Sequence, residues 1–331
     1  MTRAIWACLM ACAVMACTVM ACTVVPSPAR AENYPDRPIK LLVPLAAASA
    51  VDVVARLVGD KMGEILGQRL FVENQPGAAG LIGMRTGARA APDGYTVIVA
   101  NDSVLTMVPN LKPDAGYDPL ADFVPVTQLA GIPLGLIVHP AFPAKTVTDL
   151  ITLAREKPDS INYASGGAGS PQHVAMEFLM RAANVRMTHV PYRGATAAVN
   201  EIVAGHVPVG FTAMSSVFPL LPDNRVRLLA VSTATRVPKI PDAPTVAETG
   251  VPGFGFGAWC ALLVPAKTPP DIVAKLNAAA VLALKDPAVN ARLVDLGFVV
   301  VGDAPDQLAA FLRAEFSRTG ELIRAAGIKG E

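Results

Sequence analysis

The stretch VPLAAASAVDVVARL, residues 43–57, decides the fold. Its opening completes the apolar run IKLLVPL, bounded by prolines and rich in branched side chains, which reads as a buried strand. Its close reads as a helix over residues 51–66, with Val53, Val54, Leu57, Val58, Met62 and Ile65 on one face. Between them lies a tight strand-to-helix connection, where α/β proteins commonly place glycines so that backbone amides approach a bound anion. Here the connection is Ala46, Ala47, Ala48 and Ser49. Ser49 and Asp52 have the spacing of a capping box, the hydroxyl accepting from the third helical amide and the carboxylate reaching back to the N-cap. The amides of Ala50 and Val51, at the positive end of the helix, suit a carboxylate; the same spacing also serves an ordinary helix start.

Outward from this stretch the unit of strand, loop and helix repeats. LFVEN reads as a second strand, QPGAAGLIGMRTGARAAPDG as a glycine-rich loop, short helix and turn, and YTVIVAN as a third strand. The long apolar segment PVTQLAGIPLGLIVHP and the amphipathic helix TVTDLITLAREKP follow. INYASGG runs into a glycine-rich turn, then come a helix over 171–183, MTHVPYRG, a helix over 195–204, HVPVGFTAM and VRLLAVST. After a proline-rich passage, WCALLVP leads into PPDIVAKLNAAAVLALK and a final helix over 305–326. This alternation predicts an α/β fold with largely parallel sheets. Two long apolar strands, near 133–139 and 259–265, read as crossings between two lobes. The first lobe is then discontinuous, 32–131 plus 260–331, the second is 132–259, and their strand-to-helix turns meet at an interlobe cleft.

A chain of 331 residues is long enough for about two domains by the usual prior. With 28 basic and 27 acidic residues and no block of like charge, it has no electrostatic footprint for nucleic acid. Residues 1–25 carry one charge, Arg3, and are otherwise apolar; Ala29 and Ala31 then form an AxA site before Glu32. Residues 1–31 therefore read as a cleavable signal peptide for export to the periplasm. A retained anchor of bilayer-spanning length and a lipid-anchored form, on the loose lipidation box ending at Cys22, are the alternative readings. Cys8, Cys12, Cys17 and Cys22 lie in this leader, which leaves Cys260 alone and no internal disulfide in the exported chain. Cys260, within WCALLVP, reads as core.

The segment ASGGAGSPQHVAMEFL presents backbone amides at a helix start: Gly166, Gly167 and Gly169 allow a sharp turn, Ser170 suits the N-cap and Pro171 the first helical position. No lysine follows the last glycine, which excludes a phosphate-binding Walker loop. Ser165 lacks a preceding glycine and Ser170 is followed by Pro171, which excludes a nucleophile elbow. His173 falls in the first turn of its own helix, without a carboxylate placed to orient it as a base. His139, His173, His189 and His206 have no HxxxH or HExxH spacing, so metal binding is unsupported. In VPYRGA a strand again exits before a helix, and Arg193 either neutralises an anion there or stays solvated.

The segments YPDRPIKLLVP, VENQPGAAG, APDGYT, YDPLADFVPVT, INYASGGAGS, THVPYRG, RLLAVST, APTVAETGVPGF, PAKTPPDIVAKLN and the closing AAGI occur in this order from Tyr34 onward. In them the chain resembles the Bug family of periplasmic solute receptors, the binding components associated with tripartite tricarboxylate transporters. The resemblance implies a type II periplasmic-binding-protein fold, an α/β chain in two lobes closing around a small carboxylate ligand, with no catalysis and no cofactor. It places the ligand at Ala47, Ala48, Ser49, Ala50 and Asp52 of the first loop and at Asp102 and Ser103 after the third strand. From the second lobe it adds Ser165, Gly166, Gly167, Gly169, Ser170, His173, Tyr192, Arg193, Gly194 and Thr212.

Two departures from the family pattern bear on the ligand. Ala47, Ala48, Ser49 and Val51 stand where relatives commonly have a proline-rich turn with paired glycines and a threonine before the aspartate, Asp52 being kept, and Thr212 and Ala213 follow Phe211 where relatives often have aspartate and asparagine. Added methyls and fewer polar groups imply a smaller or more apolar acid, a monocarboxylate or aromatic acid. The resemblance also implies membrane transporter components as partners, and one cleft per chain implies a functional monomer. The competing classes are a ligand sensor docking to a signalling protein, an exported α/β hydrolase with a nucleophile and matched base, and a degenerate receptor that binds nothing tightly.

Overall fold

The structure, a computed structural model, describes residues 34–327. The predicted signal peptide, its cleavage site and the lipidation box lie outside the described residues.

β1 (Ile39–Val43) is buried along its length except for half-buried Lys40. It runs through residues 44–49 into α1 (Ala50–Leu66), which stops at Gly67 in the left-handed conformation. The buried stripe of α1 is Val51, Val54, Ala55, Val58 and Met62. Ile65, expected on that stripe, falls in the last turn and is 38% exposed. β2 (Leu70–Asn74), α2 (Leu81–Ala88) and β3 (Thr96–Asn101) complete the first run. A Cβ on Gly83 would lie 2.7 Å from the Cα of Pro44, so α2 packs directly on the exit from β1 because that position has no side chain.

Helical turns over Ser103–Met107 and Val108–Leu111 lead to β4 (Phe123–Ile132) and β5 (Leu134–Val138). Then come α3 (Val147–Glu156), β6 (Asn162–Ser165), α4 (Pro171–Ala183), β7 (Thr188–Pro191), α5 (Ala195–Val203), β8 (Val209–Ala213) and β9 (Arg227–Val231). The chain closes with β10 (Ala258–Pro265), α6 (Pro270–Lys285), α7 (Pro287–Asp295), β11 (Val299–Val300) and α8 (Pro305–Ala326).

The strands form two sheets, in the orders β11-β4-β10-β3-β1-β2 and β7-β6-β8-β5-β9. Both are mixed, which corrects the expectation of largely parallel sheets. β1 is parallel to β2 and β3, and β6 is parallel to β7 and β8. β10 runs antiparallel to β3 and β4, and β5 antiparallel to β8 and β9. Two of the reversed strands arrive from the other sheet: β5 follows β4 across Pro133, and β10 follows the second sheet's last segment across Gly257; the short edge strand β11 is antiparallel to β4 without such a crossing. A strand entering from the opposite lobe runs against the local β-α-β progression, whose crossover helices enforce parallel pairing.

Ser232 ties the two crossings together, its Oγ donating to the Phe256 carbonyl at 2.7 Å and accepting from the Leu134 amide at 3.1 Å. Each sheet buries its own core. Leu42, Met84, Ile98, Leu105 and Leu263 of the first pack under Leu308 and Leu312 of α8. Ile137, Ala164, Ile202, Val217 and Val231 form the second. Cys260 is fully buried in β10 opposite Asn101 and Ala130, and burial, with the nearby Asp102 carboxyl, pushes its thiol up to about 12. No described helix is long and apolar enough to cross a membrane.

Candidate functional site

Parallel strands carry the turns at their C-terminal ends to one edge of a sheet, and there the following helices present their N-termini. In the first sheet those turns follow β1 and β3; in the second they follow β6, β7 and β8. Two contacts bring the sets together. Ser103 Oγ, just past β3, donates to the Gly169 carbonyl at 2.7 Å, and a Cβ on Gly194 would lie 3.8 Å from that of Ala46.

In the first loop, Ser49 is the N-cap of α1 and accepts from the Asp52 amide at 3.3 Å, as the spacing predicts. The Asp52 carboxylate does not reach back to the N-cap amide; Oδ2 accepts from the Ala48 amide at 2.9 Å, and the Ser49 amide donates to Ala46 instead. The cause is Ala48, held at φ 60 in the left-handed region, which turns its own N–H toward the helix. Asp52 is only 3% exposed and also accepts from Arg56 at 3.0 Å and from Asn74 at 2.9 Å. Burial raises its carboxyl, but the bonds from Arg56, Asn74 and Ala48 outweigh it and hold the pKa below the usual value. Asp52 therefore shapes the loop, and Ala47 and Ala48 are exposed on its outside. The amides of Ala50 and Val51 donate to no described residue.

At the end of β3 the site is buried and under-satisfied. Asn101 Oδ1 and Asp102 Oδ1 have no hydrogen-bond partner among the described residues, although the two side chains are nine-tenths buried or more. Burial, supported by Glu315, pushes the Asp102 carboxyl well above the usual carboxylate range, against the amides of Ser103 and Trp259. From the second sheet, Thr212 in β8 is 1% exposed and its Oγ1 is likewise unpartnered. Buried polar atoms without partners are uncommon in folded proteins and mark places completed by something else.

The glycine turn after β6 is the most constrained element of the site. Gly167 and Gly169 have φ 114 and φ 73, conformations that L side chains rarely adopt, and a Cβ on Gly166 would sit 2.9 Å from the Ala195 amide. Ser170 caps α4 and accepts from the His173 amide at 3.3 Å. His173 does have a carboxylate beside it, contrary to the sequence expectation, with Nε2 3.6 Å from Glu177 Oε1 one helical turn on. Tyr192 and Gly194 belong to the turn by backbone only. The Tyr192 phenol is pushed up by burial and then by the Glu201 carboxylate its hydroxyl faces, and its ring packs against the second core. Arg193 is exposed.

Ser165 Oγ stands 2.6 Å from His189 Nε2, the geometry of a nucleophile and its base. The chemistry does not follow. Ser165 is fully buried, its hydroxyl also engages Gly167, and burial together with His173 lowers His189 to about 4, which makes it a weak base at neutral pH. Among the described residues no group of three His, Cys, Asp or Glu side chains is placed to hold a metal ion.

Sequence reasoning passed over Asn74, Gln172 and the ring partners of His173. Gln172, at the second position of α4, is 7% exposed and its side chain makes no hydrogen bond to a described residue. Its signal was the polar residue immediately after Ser170-Pro171. A concavity of about 660 Å³, bordered by Lys40, Ile82, Arg85 and Arg89, opens at the N-terminal ends of β1 and β3, the opposite edge from these turns. It is lined from one lobe alone, so the strand-end turns remain the candidate site.

Comparison with known proteins places the chain in a family. Residues 54–328 match the family described as tripartite tricarboxylate transporter family receptor. A protein from the tcbD-tcbE intergenic region of Pseudomonas sp. strain P51 is 37% identical over 295 residues, covering 89% of this chain and 88% of its own. Among solved structures, R. palustris Rpa4515 with adipate superposes with TM-score 0.87 at 31% identity, over 89% of this chain and 99% of that one. MatC from Rhodopseudomonas palustris, with bound malate, gives TM-score 0.83 at 35% identity, over 88% of this chain and 100% of that one.

Proposed function

From the premise that this chain belongs to the tripartite tricarboxylate transporter family receptors, the Bug receptors, we propose that it is a periplasmic receptor that captures a small organic carboxylate by lobe closure and delivers it to the membrane components of such a transporter. The observation that carries the reading is the convergence, from both sheets, of helix starts whose amides are unbonded: Ala50 and Val51 of α1, and Gly166 and Ala168 before α4. A carboxylate set among them gains charge-assisted hydrogen bonds and the positive ends of the helices. Ser49, Ser103, Ser165, Ser170, His173 and Asp52 hold these turns in shape, while Asn101, Asp102 and Thr212 offer the buried atoms that a ligand completes.

The expected lobe boundaries at 131/132 and 259/260 are supported to within about two residues by the change of sheet at Pro133 and Gly257. One such cleft per chain suits a monomer. Thr212 and Ala213 make this part of the cleft less polar than a pair of charged or amide side chains would, which favours a smaller or more apolar acid.

The test is a thermal-shift screen of the chain from Glu32 onward against malate, adipate, citrate, benzoate and aliphatic monocarboxylates. A ligand at about 100 times its dissociation constant adds about 2.7 kcal/mol to stability and raises the midpoint visibly. A shift confined to one acid class supports the receptor and names its ligand chemistry. A flat response across the whole panel counts against carboxylate capture.

A further inference from the structure

The glycines that let residues 166–169 turn sharply leave that turn without side chains to hold it, yet its amides must point in fixed directions for it to bind anything. Two of them end on a ring stack beneath the turn. The Gly169 amide donates to His173 Nδ1 at 3.1 Å, and the Gly167 amide donates to Ser165 Oγ at 3.1 Å, which in turn lies 2.6 Å from His189 Nε2. The alternate amides, those of Gly166 and Ala168, donate to no described residue.

The rings themselves are tightly ordered. His173 of α4 and His189 of β7 are parallel within 3° at 4.1 Å between centroids, and the ring of Tyr163 of β6, inclined by 21° to His189 and 20° to His173, lies 5.0 Å from the first and 6.5 Å from the second. The Tyr163 hydroxyl donates to Glu177 Oε1 at 2.6 Å, the same oxygen that lies 3.6 Å from His173 Nε2. Because Nδ1 of His173 accepts a hydrogen bond, the proton of the neutral ring is on Nε2, toward Glu177.

We propose that His173 and His189, clamped by Tyr163 and Glu177, are positioning residues for ligand capture: they hold the Gly167 and Gly169 amides inward so that the Gly166 and Ala168 amides face the ligand. The inference rests on the reading of this turn as part of the carboxylate site. It makes the clamp dependent on uncharged histidines. A proton on His173 Nδ1 removes the acceptor for Gly169, and a proton on either ring sets two stacked imidazoles against one another, with the Glu177 carboxylate beside them and the Tyr163 hydroxyl bonded to it. Burial and the neighbouring His173 already keep His189 down at about 4.

The experiment uses the chain from Glu32 onward and two readouts. Amide exchange of Gly167 and Gly169 is followed by NMR without ligand, and adipate and malate affinities are measured by calorimetry across pH 5 to 8. In His173→Phe the ring is kept and the acceptor lost; in His173→Asn an oxygen replaces Nδ1. His189→Phe and His189→Gln make the same pair of tests for Nε2.

Each Phe variant is expected to speed exchange of its glycine and weaken the acid by about tenfold, the size of one lost buried hydrogen bond, while His173→Asn and His189→Gln recover most of both. Phe variants with wild-type exchange and affinity overturn the proposal, as do Asn and Gln substitutions that fail equally, since that pattern marks packing alone. Where a Phe variant does not fold, the wild-type titration decides: the Gly169 resonance must move with protonation of His173, and a flat Gly169 resonance overturns the clamp. If wild type binds neither acid, the functional reading is at fault for these probes, and the exchange data still decide the positioning role.

Discussion

Ala48 is the residue on which the first loop turns. Its φ of 60 costs an L side chain about 1 kcal/mol, and glycine there relieves that strain while giving back a similar amount as unfolded-chain entropy. Ala48→Gly is expected to leave stability within about 1 kcal/mol of wild type or above it, whereas Ala47→Gly, without a positive φ to relieve, destabilises by about 0.5–1 kcal/mol. Urea midpoints of the two variants measure the difference, and equal losses would show that Ala48 is unstrained. Asp52→Ala leaves the Ala48 amide and the Asn74 amide group each short of an acceptor and is expected to cost about 2–3 kcal/mol. The Ser49 cap was legible in the sequence because it is local; the equally local i, i+4 pair of Asp52 with Arg56 was passed over, since Asp52 read as a capping-box partner. Asn74 was not, since it reaches Asp52 only through the parallel register that sets Val43 beside Asn74.

At the level of elements, β6, β7 and α4 are joined by one buried polar stack, and its pH response has a definite sign. His189 is lowered from the usual 6.5 to about 4, so between those values the unfolded chain binds a proton that the native state refuses, and stability falls as pH drops through that window. Glu177 is raised by burial but lowered more by His173 and Tyr163, and its net downward shift adds a further loss below about pH 4.5. Melting midpoints measured from pH 8 to pH 4 should be level above about 6.5 and decline below it, and His189→Gln should flatten the upper part of the decline. A midpoint that stays level to pH 5 would mean that His189 titrates normally. The helices and strands of this region were readable from period and turn residues. The stack was not, because His189 and His173 lie on different elements and meet only when β7 lies beside β6 and α4 folds back over both.

For the whole molecule the two-lobed plan was legible from the alternation of elements and the two apolar crossings, but the mixed sheets were not, since strand direction depends on which lobe each crossing strand has come from. The same crossings, stitched at Ser232, leave the lobes joined by few chain passages, the connection that the proposed lobe closure requires. Ser103 then has a role that its neighbours lack. Its hydroxyl spans from the end of β3 to the Gly169 carbonyl, a bond from the first sheet to the glycine turn of the second. If ligand draws the lobes shut, the bond belongs to the closed state and contributes to affinity through the closing equilibrium. Ser103→Ala should then weaken the bound acid about fivefold, the net worth of roughly 1 kcal/mol, chiefly through faster release. If the ligand-free protein is open, its unfolding free energy should be unchanged, because the bond then belongs to the closed state alone. Calorimetry and stopped-flow release, set beside ligand-free denaturation, separate the cases: lower stability with unchanged affinity would make Ser103 a static strut and the lobes a fixed pair.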